Sequence, residues 1–150
     1  MKFLVIFAAA CGLALDLGVL PVAGMRMAGD YPEFAGFFWP WLVFLWAISL
    51  PCFSALSLAW RIFSNIEKER AFSVENADHM ERISFLSAAD AALLVLGNAA
   101  FLLAGGSHMS VLLASFLIAL IGIGVSVAAA ALSHLIRKAA QLQDQSDWTI

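Results

Sequence analysis

Charge is what this sequence lacks most. Only 13% of its 150 residues are Asp, Glu, Lys or Arg, against about a quarter in an ordinary soluble domain. The eight Lys and Arg form no run, so there is no basic face to track a phosphate backbone, and direct nucleic-acid binding is not expected. Cysteine is scarce as well. Cys11 and Cys52 both lie in apolar runs and make neither a disulfide framework nor a spaced metal motif. They read as small hydrophobes. Of the three histidines, His79 and His134 fall at or beyond the ends of apolar runs and His108 falls in a turn, so they do not converge. No nucleophile stands at a recognisable spacing from a base and an orienting group. The sequence gives no reason to expect an enzyme, a metal or a cofactor.

What is present is hydrophobicity. The chain is 63% apolar with a mean hydropathy of +0.91, and the excess is gathered into long runs. Four runs, about 3–23, 36–60, 83–104 and 110–136, are each near the ~20 residues that cross the hydrocarbon of a bilayer. In lipid each backbone N–H and C=O must be satisfied within the chain, which forces such runs to be helical. The expected fold class is all-α: an integral membrane four-helix bundle. It forms a single transmembrane domain over 1–150, with a loop at 61–82 and a tail at 137–150. The start, MKFLVIFAAACGLAL, has the look of a signal peptide with a lipobox-like AAAC. Hydrophobicity continues past Cys11 to Val22, however, so a retained first span is expected.

The basic residues indicate the threading. Lys2 precedes span one, Arg61, Lys68, Arg70 and Arg82 lie between spans two and three, and Arg137 and Lys138 follow span four. Only Arg26 lies on the opposite side. This bias puts both termini and the central loop in the cytoplasm. The aromatics agree, with FFWPW (37–41) opening span two at the outer interface and Trp60 closing it at the inner one. Small residues at four-residue spacing, Ala47–Pro51–Ala55–Ala59 and Gly122–Ser126–Ala130, are candidate faces for close helix packing.

Two acids break the apolar runs, Asp16 in AACGLALDLGVL and Asp90 in ISFLSAADAALLVLGN. An isolated carboxylate in hydrocarbon binds a proton rather than keep its charge. Both are therefore expected to face the interior, within reach of each other or of Ser49, Ser54, Ser87 or Asn98. Internal similarity links them. ALS followed by Arg recurs at 55–61 and 131–137, and ALD at 14–16 parallels AAD at 88–90. This pattern suggests two hairpins of the same threading, a parallel internal repeat. Each hairpin would end in an amphipathic extension, carrying Ile62, Phe63 and Ile66 in one case and Ala139 and Leu142 in the other. Ser73 is placed to cap a new helix, with Glu75 in its first turn. Glu75–His79 and Asp78–Arg82 are i,i+4 pairs.

The central segment KERAFSVENADHMERI resembles the "PFS-x-EN-x-x-R-L-x-x-I" stretch of a bacterial membrane family, domain of unknown function 2975. The tail LIRKAAQLQDQSDWTI resembles that family's "F-x-x-G-x-x-L-x-x-x-x-D-L-T-I" ending. Ala71 stands where the family often has Pro, Met80 where it has a basic residue, and Trp148 where it has Leu. The resemblance implies no activity. Members are often encoded beside a small helix-turn-helix regulator, which implies a regulatory pairing.

These readings point to a membrane sensor or interaction protein whose loop and tail contact a soluble cytosolic partner. The motif residues are Phe72, Ser73, Glu75, Asn76, Arg82, Arg137, Asp147, Trp148, Thr149 and Ile150. The tail SDWTI is expected to dock near AFSVEN. The alternative is a small proton- or cation-linked transporter using Asp16 and Asp90, with Asn98 as a third intramembrane polar group. The bilayer itself is the one certain partner class, and a homo-oligomer is left open. The threading is testable. Alkaline phosphatase fused after Asp30 or Ser107 should be active, and fused after Lys68 or Ile150 inactive; activity at Ile150 would contradict four spans.

Overall fold

In the computed structural model, which describes residues 2–107 and 109–147, the chain is helical almost throughout and no strand occurs among the described residues. Helix α1 runs over Lys2–Asp30, with a π-helical turn at Leu15–Val19. A 3₁₀ turn, Pro32–Phe37, leads into α2, Phe38–Glu67. Helix α3 is Val74–Leu103 and α4 is Met109–Asp147. All four are long and apolar enough to cross a membrane. Their surfaces are apolar too: Phe3, Leu96 and Ile121 are exposed, and Leu103 is 89% exposed. Such a surface suits lipid, not water.

The expected bundle takes the form of a row. Helix α1 lies against α2, α2 against α3, and α3 against α4, and among the described residues no other pair of these helices approaches backbone to backbone. The contact between α3 and α4 is much the longest. Its α4 side is Ala119, Gly122, Ser126, Ala129, Ser133, Ile136 and Ala140, all buried or half-buried. The spacing alternates three and four, the 3.5-residue period that keeps two helices in contact along their length. The sequence pattern Gly122–Ser126–Ala130 catches two of these positions. Its third is wrong, because Ala130 is exposed and Ala129 is buried.

Water does not drive this seam together, since lipid is as apolar as leucine. Close approach and hydrogen bonds must hold it. A Cβ on Gly122 would stand 3.4 Å from Cβ of Ala91, so the helices meet at van der Waals contact there. Ser126 Oγ donates to the Ser84 carbonyl at 2.8 Å, and Ser133 Oγ donates to the Ala77 carbonyl at 2.7 Å. Each such bond contributes about 0.6 kcal/mol on average in a bilayer. On the other side of α3, Phe44 and Ile48 of α2 pack against Ala91, Leu94 and Ala119. Gly97 leaves the room that the Phe44 ring occupies. The α2 stripe expected from small residues is thus only partly used: Ala47 is exposed, while Pro51, Ala55 and Ala59 are half-buried.

The π turn of α1 has a cause in the sequence. Pro21 carries no N–H and its ring crowds the carbonyl four residues earlier, so the α ladder cannot pass through it. The Leu20 N–H bonds back to the Leu15 carbonyl instead. The Asp16 carbonyl is thereby deprived of both helical donors, because Leu20 is taken and residue 21 has none. Trp46 of α2 supplies the missing donor, with Nε1 at 3.0 Å from that carbonyl. Pro51, by contrast, leaves α2 unbroken.

The two chain reversals that follow α2 and α3 are built alike. After α2, Glu69 takes φ = 60°, its N–H reaches the Ile66 carbonyl and the Arg70 N–H reaches that of Asn65. After α3, Gly105 takes φ = 75°, with the Gly105 and Gly106 N–H groups on the Leu102 and Phe101 carbonyls. This left-handed cap satisfies the last helical carbonyls.

A double-mutant cycle tests the Trp46 assignment. Trp46→Phe should lower stability in detergent or bicelles by about 1 kcal/mol, the net value of one hydrogen bond. In a Pro21→Ala background, where the helix regains its own donor, most of that cost should vanish.

Candidate functional site at the basic end

Lys2, Glu67, Asn76 and Arg137 share one end of the molecule. Lys2 Nζ lies 2.6 Å from Glu67 Oε2 and over the Trp60 ring, tying the start of α1 to the end of α2. Between α2 and α3 the chain must reverse in a few residues, which strands backbone carbonyls. Asn76, fully buried in the first turns of α3, collects them. Its Nδ2 donates to the carbonyls of Arg70 and Ala71 at 3.2 and 3.1 Å. Its Oδ1 accepts from Asn65 Nδ2 at 2.9 Å, and its backbone N–H donates to Ser73 Oγ at 3.2 Å. Ser73 is therefore the N-cap of α3, and Asn76 is the knot joining α2, the loop and α3.

Arg137 ties α4 into the same end. Its Nη2 is 2.7 Å from both Asp78 Oδ1 and Glu81 Oε2. The local pairing Asp78–Arg82 expected from i,i+4 spacing is not made: Asp78 turns to Arg137, and Arg82 is exposed. Glu75 does approach His79, at 3.7 Å, but His79 is buried and neither ring nitrogen has a hydrogen-bond partner. Counting along the motif from Phe72, the basic position falls on His79 and the leucine on Met80, which corrects the register given above. On α4 the inward residues are Ser133, Ile136 and Ala140, whereas Leu142 is exposed, so the amphipathic face is offset from the one expected.

Once these groups are used, the tip of the turn shows what remains. Phe72 is 61% exposed and Val74 is exposed beside it. A groove lined by Ser57, Asp78, Glu81, Arg82, Phe85 and Leu86 opens between α2 and α3 just below. Asp147 ends α4. Trp148, Thr149 and Ile150, and with them the docking of the tail, lie outside the described residues.

The intramembrane acids do not form the network expected of them. Asp16 and Asp90 are both half-buried, and Cys52 of α2 lies within electrostatic range of each. Two of the three serines proposed as partners bond to their own helix: Ser49 to the Leu45 carbonyl, Ser54 to that of Leu50. Asn98 is buried and donates to the Leu94 carbonyl at 2.8 Å. Asp90 Oδ1 is buried with no hydrogen-bond partner. Among the described residues no group of three His, Cys, Asp or Glu side chains is placed to hold a metal.

An all-helical chain with four membrane-length apolar helices is a multi-pass membrane protein by its architecture. Residues 22–150 match the family described as "Protein of unknown function (DUF2975)", and the chain belongs to that family. No curated protein and no solved structure matches it.

Asn65, Ala77 and Ser133 carry this end of the fold and were not among the residues singled out from the sequence. Asn65 had a signal: it is an uncharged amide on the inward side of an otherwise apolar helix end. Asn76→Ala should cost about 2–3 kcal/mol, because it strands buried polar groups of the turn. Arg137→Ala, which removes two ion pairs at the surface, should cost about 1 kcal/mol or less. Thermal or chaotrope unfolding in detergent that ranked Arg137→Ala as the worse of the two would contradict the assignment of Asn76.

Proposed function

We propose that this protein is a membrane-embedded sensor or interaction protein of the bacterial inner membrane, not an enzyme, whose basic end lies in the cytoplasm and is contacted by a soluble partner. A small helix-turn-helix regulator is the partner class favoured. The Lys and Arg bias supports this orientation of the termini and loop. The matched ALS and Arg positions support two hairpins of the same threading.

One observation carries the reading. The motif FSVEN spends its polar groups on fixing the turn and leaves Phe72 displayed at its tip. Helix length bears on what Phe72 can meet. At ~1.5 Å per residue, the nine residues Val74–Arg82 stand about 13 Å beyond the apolar part of α3. The headgroup layer adds only about 5–7 Å on each side of the hydrocarbon. A rigidly held aromatic beyond that depth suits a protein surface better than a lipid anchor. The groove beneath it, with Arg82 and the Asp78–Glu81 pair on its wall, offers the partner charge of both signs.

A second reading, proton- or cation-linked transport, is favoured by the partnerless buried oxygen of Asp90. Asp16 and Asp90 sit on helices that do not touch and flank α2, so a shared site would have to form around Cys52.

A photo-cross-linking residue at position 72, activated in growing cells, separates the two. The interaction reading expects one cytosolic protein, captured in stoichiometric yield and lost in an Asn76→Ala background that releases the turn. Cross-links to lipid alone would overturn it. Transport would instead show as pH-dependent flux in liposomes that Asp90→Asn abolishes.

A further inference from the structure

At the end opposite the basic one, the four helices and their connections line a half-open cavity of about 240 Å³. Its wall is aromatic: Tyr31, Phe34, Phe37, Phe38, Trp41 and Phe101. Two glycines let those rings stand where they do. A Cβ on Gly24 would lie 2.8 Å from the Phe38 ring, and one on Gly106 would lie 2.6 Å from the Phe37 ring. The cavity is thus a packed feature of the fold and not a gap left between loosely fitted helices.

Its polar content is small and specific. Among the described residues, no Asp, Glu, Lys, Arg or His lines it. Asn98 does, but its amide donates to the Leu94 carbonyl. Ser107 also lines it, and its Oγ is buried without any hydrogen-bond partner. A hydroxyl left unsatisfied in an apolar wall is costly, and native structures leave few of them. An acyl chain filling the cavity would leave this one unsatisfied. A ligand carrying one oxygen would not. Size narrows the class further, since a cavity of roughly 150 Å³ takes a single benzene ring. The described lining offers an ion no opposite charge, so a neutral ligand suits it better.

We propose that this cavity binds a neutral, flat molecule of about two fused rings bearing one hydroxyl or carbonyl oxygen, stacked among the aromatic side chains and hydrogen-bonded to Ser107. The inference does not depend on the cytosolic partner, and its test uses none.

The full chain in lipid nanodiscs is dialysed to equilibrium against radiolabelled 2-naphthol, with empty nanodiscs as the blank. Naphthalene and 2-naphthoate serve as comparisons. Saturable binding of one naphthol per chain is expected, with naphthalene weaker by about threefold to tenfold, the worth of one net hydrogen bond. Naphthoate should not compete. Ser107→Ala should weaken naphthol by that same factor and leave naphthalene unchanged. Val111→Trp and Ala28→Phe fill the cavity from different helices, and either one that folds should abolish saturable binding. Uptake no greater than in empty nanodiscs would overturn the proposal. So would equal affinity for naphthol and naphthalene, or saturable binding that survives a filling substitution.

Discussion

A carbonyl oxygen shut away from water, whether by lipid or by the fold itself, must find its donor within the chain, and this structure is shaped by how it meets that constraint. Regular helix answers it for most of the chain. The exceptions are the places where helix fails. Pro21 interrupts the ladder of α1, and the indole of Trp46 takes up the carbonyl that results. The turn after α2 leaves the carbonyls of Arg70 and Ala71, and the amide of Asn76 takes up both. In each case a side chain on the next helix repairs a defect in the one before. The repair also fixes how the two helices meet.

Packing follows from the same absence of water. Burying leucine against leucine gains little in lipid, so the contact that matters is the one in which backbones come close. Only α3 and α4 achieve this along their whole length, through alanine, glycine and serine on both faces. Helix α2 reaches them with larger side chains, Phe44 and Ile48. Helix α1 reaches only α2, through Gly12 under Phe53, the Trp46 bond and the Lys2–Glu67 pair. Cohesion therefore declines from the C-terminal hairpin toward the N-terminus.

The length of the apolar runs made the four helices legible, because runs of about 20 apolar residues cross lipid only as helix, and cap chemistry made Ser73 legible as the start of α3. The seam of α4 was harder. Residues 128–131 are four consecutive alanines, so a small-residue stripe can be drawn through any of them, and only the partner helix decides that Ala129 faces in. The Asp78–Arg82 pair failed for a different reason. Local spacing offered Arg82 to Asp78, but the guanidinium of Arg137 arrives from 59 residues away and bonds to it at 2.7 Å. Asn76 was visible as a motif residue, yet its work is inside the fold, where a sequence pattern cannot distinguish it from a contact residue. Trp46 could have been anticipated: a proline within an apolar run leaves a carbonyl in need, and an indole is a donor that an apolar helix can carry.

The long seam between α3 and α4 has a mechanical meaning. Two helices locked at van der Waals distance by small side chains cannot slide past each other by fractions of a turn without opening voids or breaking the serine bonds. They move as one rod. The rod is anchored at one extremity in the turn carrying Gly105 and Gly106 and at the other in the knot of Asn76 and Arg137. A tilt imposed on either extremity is carried along the rod to the other, while α1, at the far side of the row, meets the rod only by way of α2.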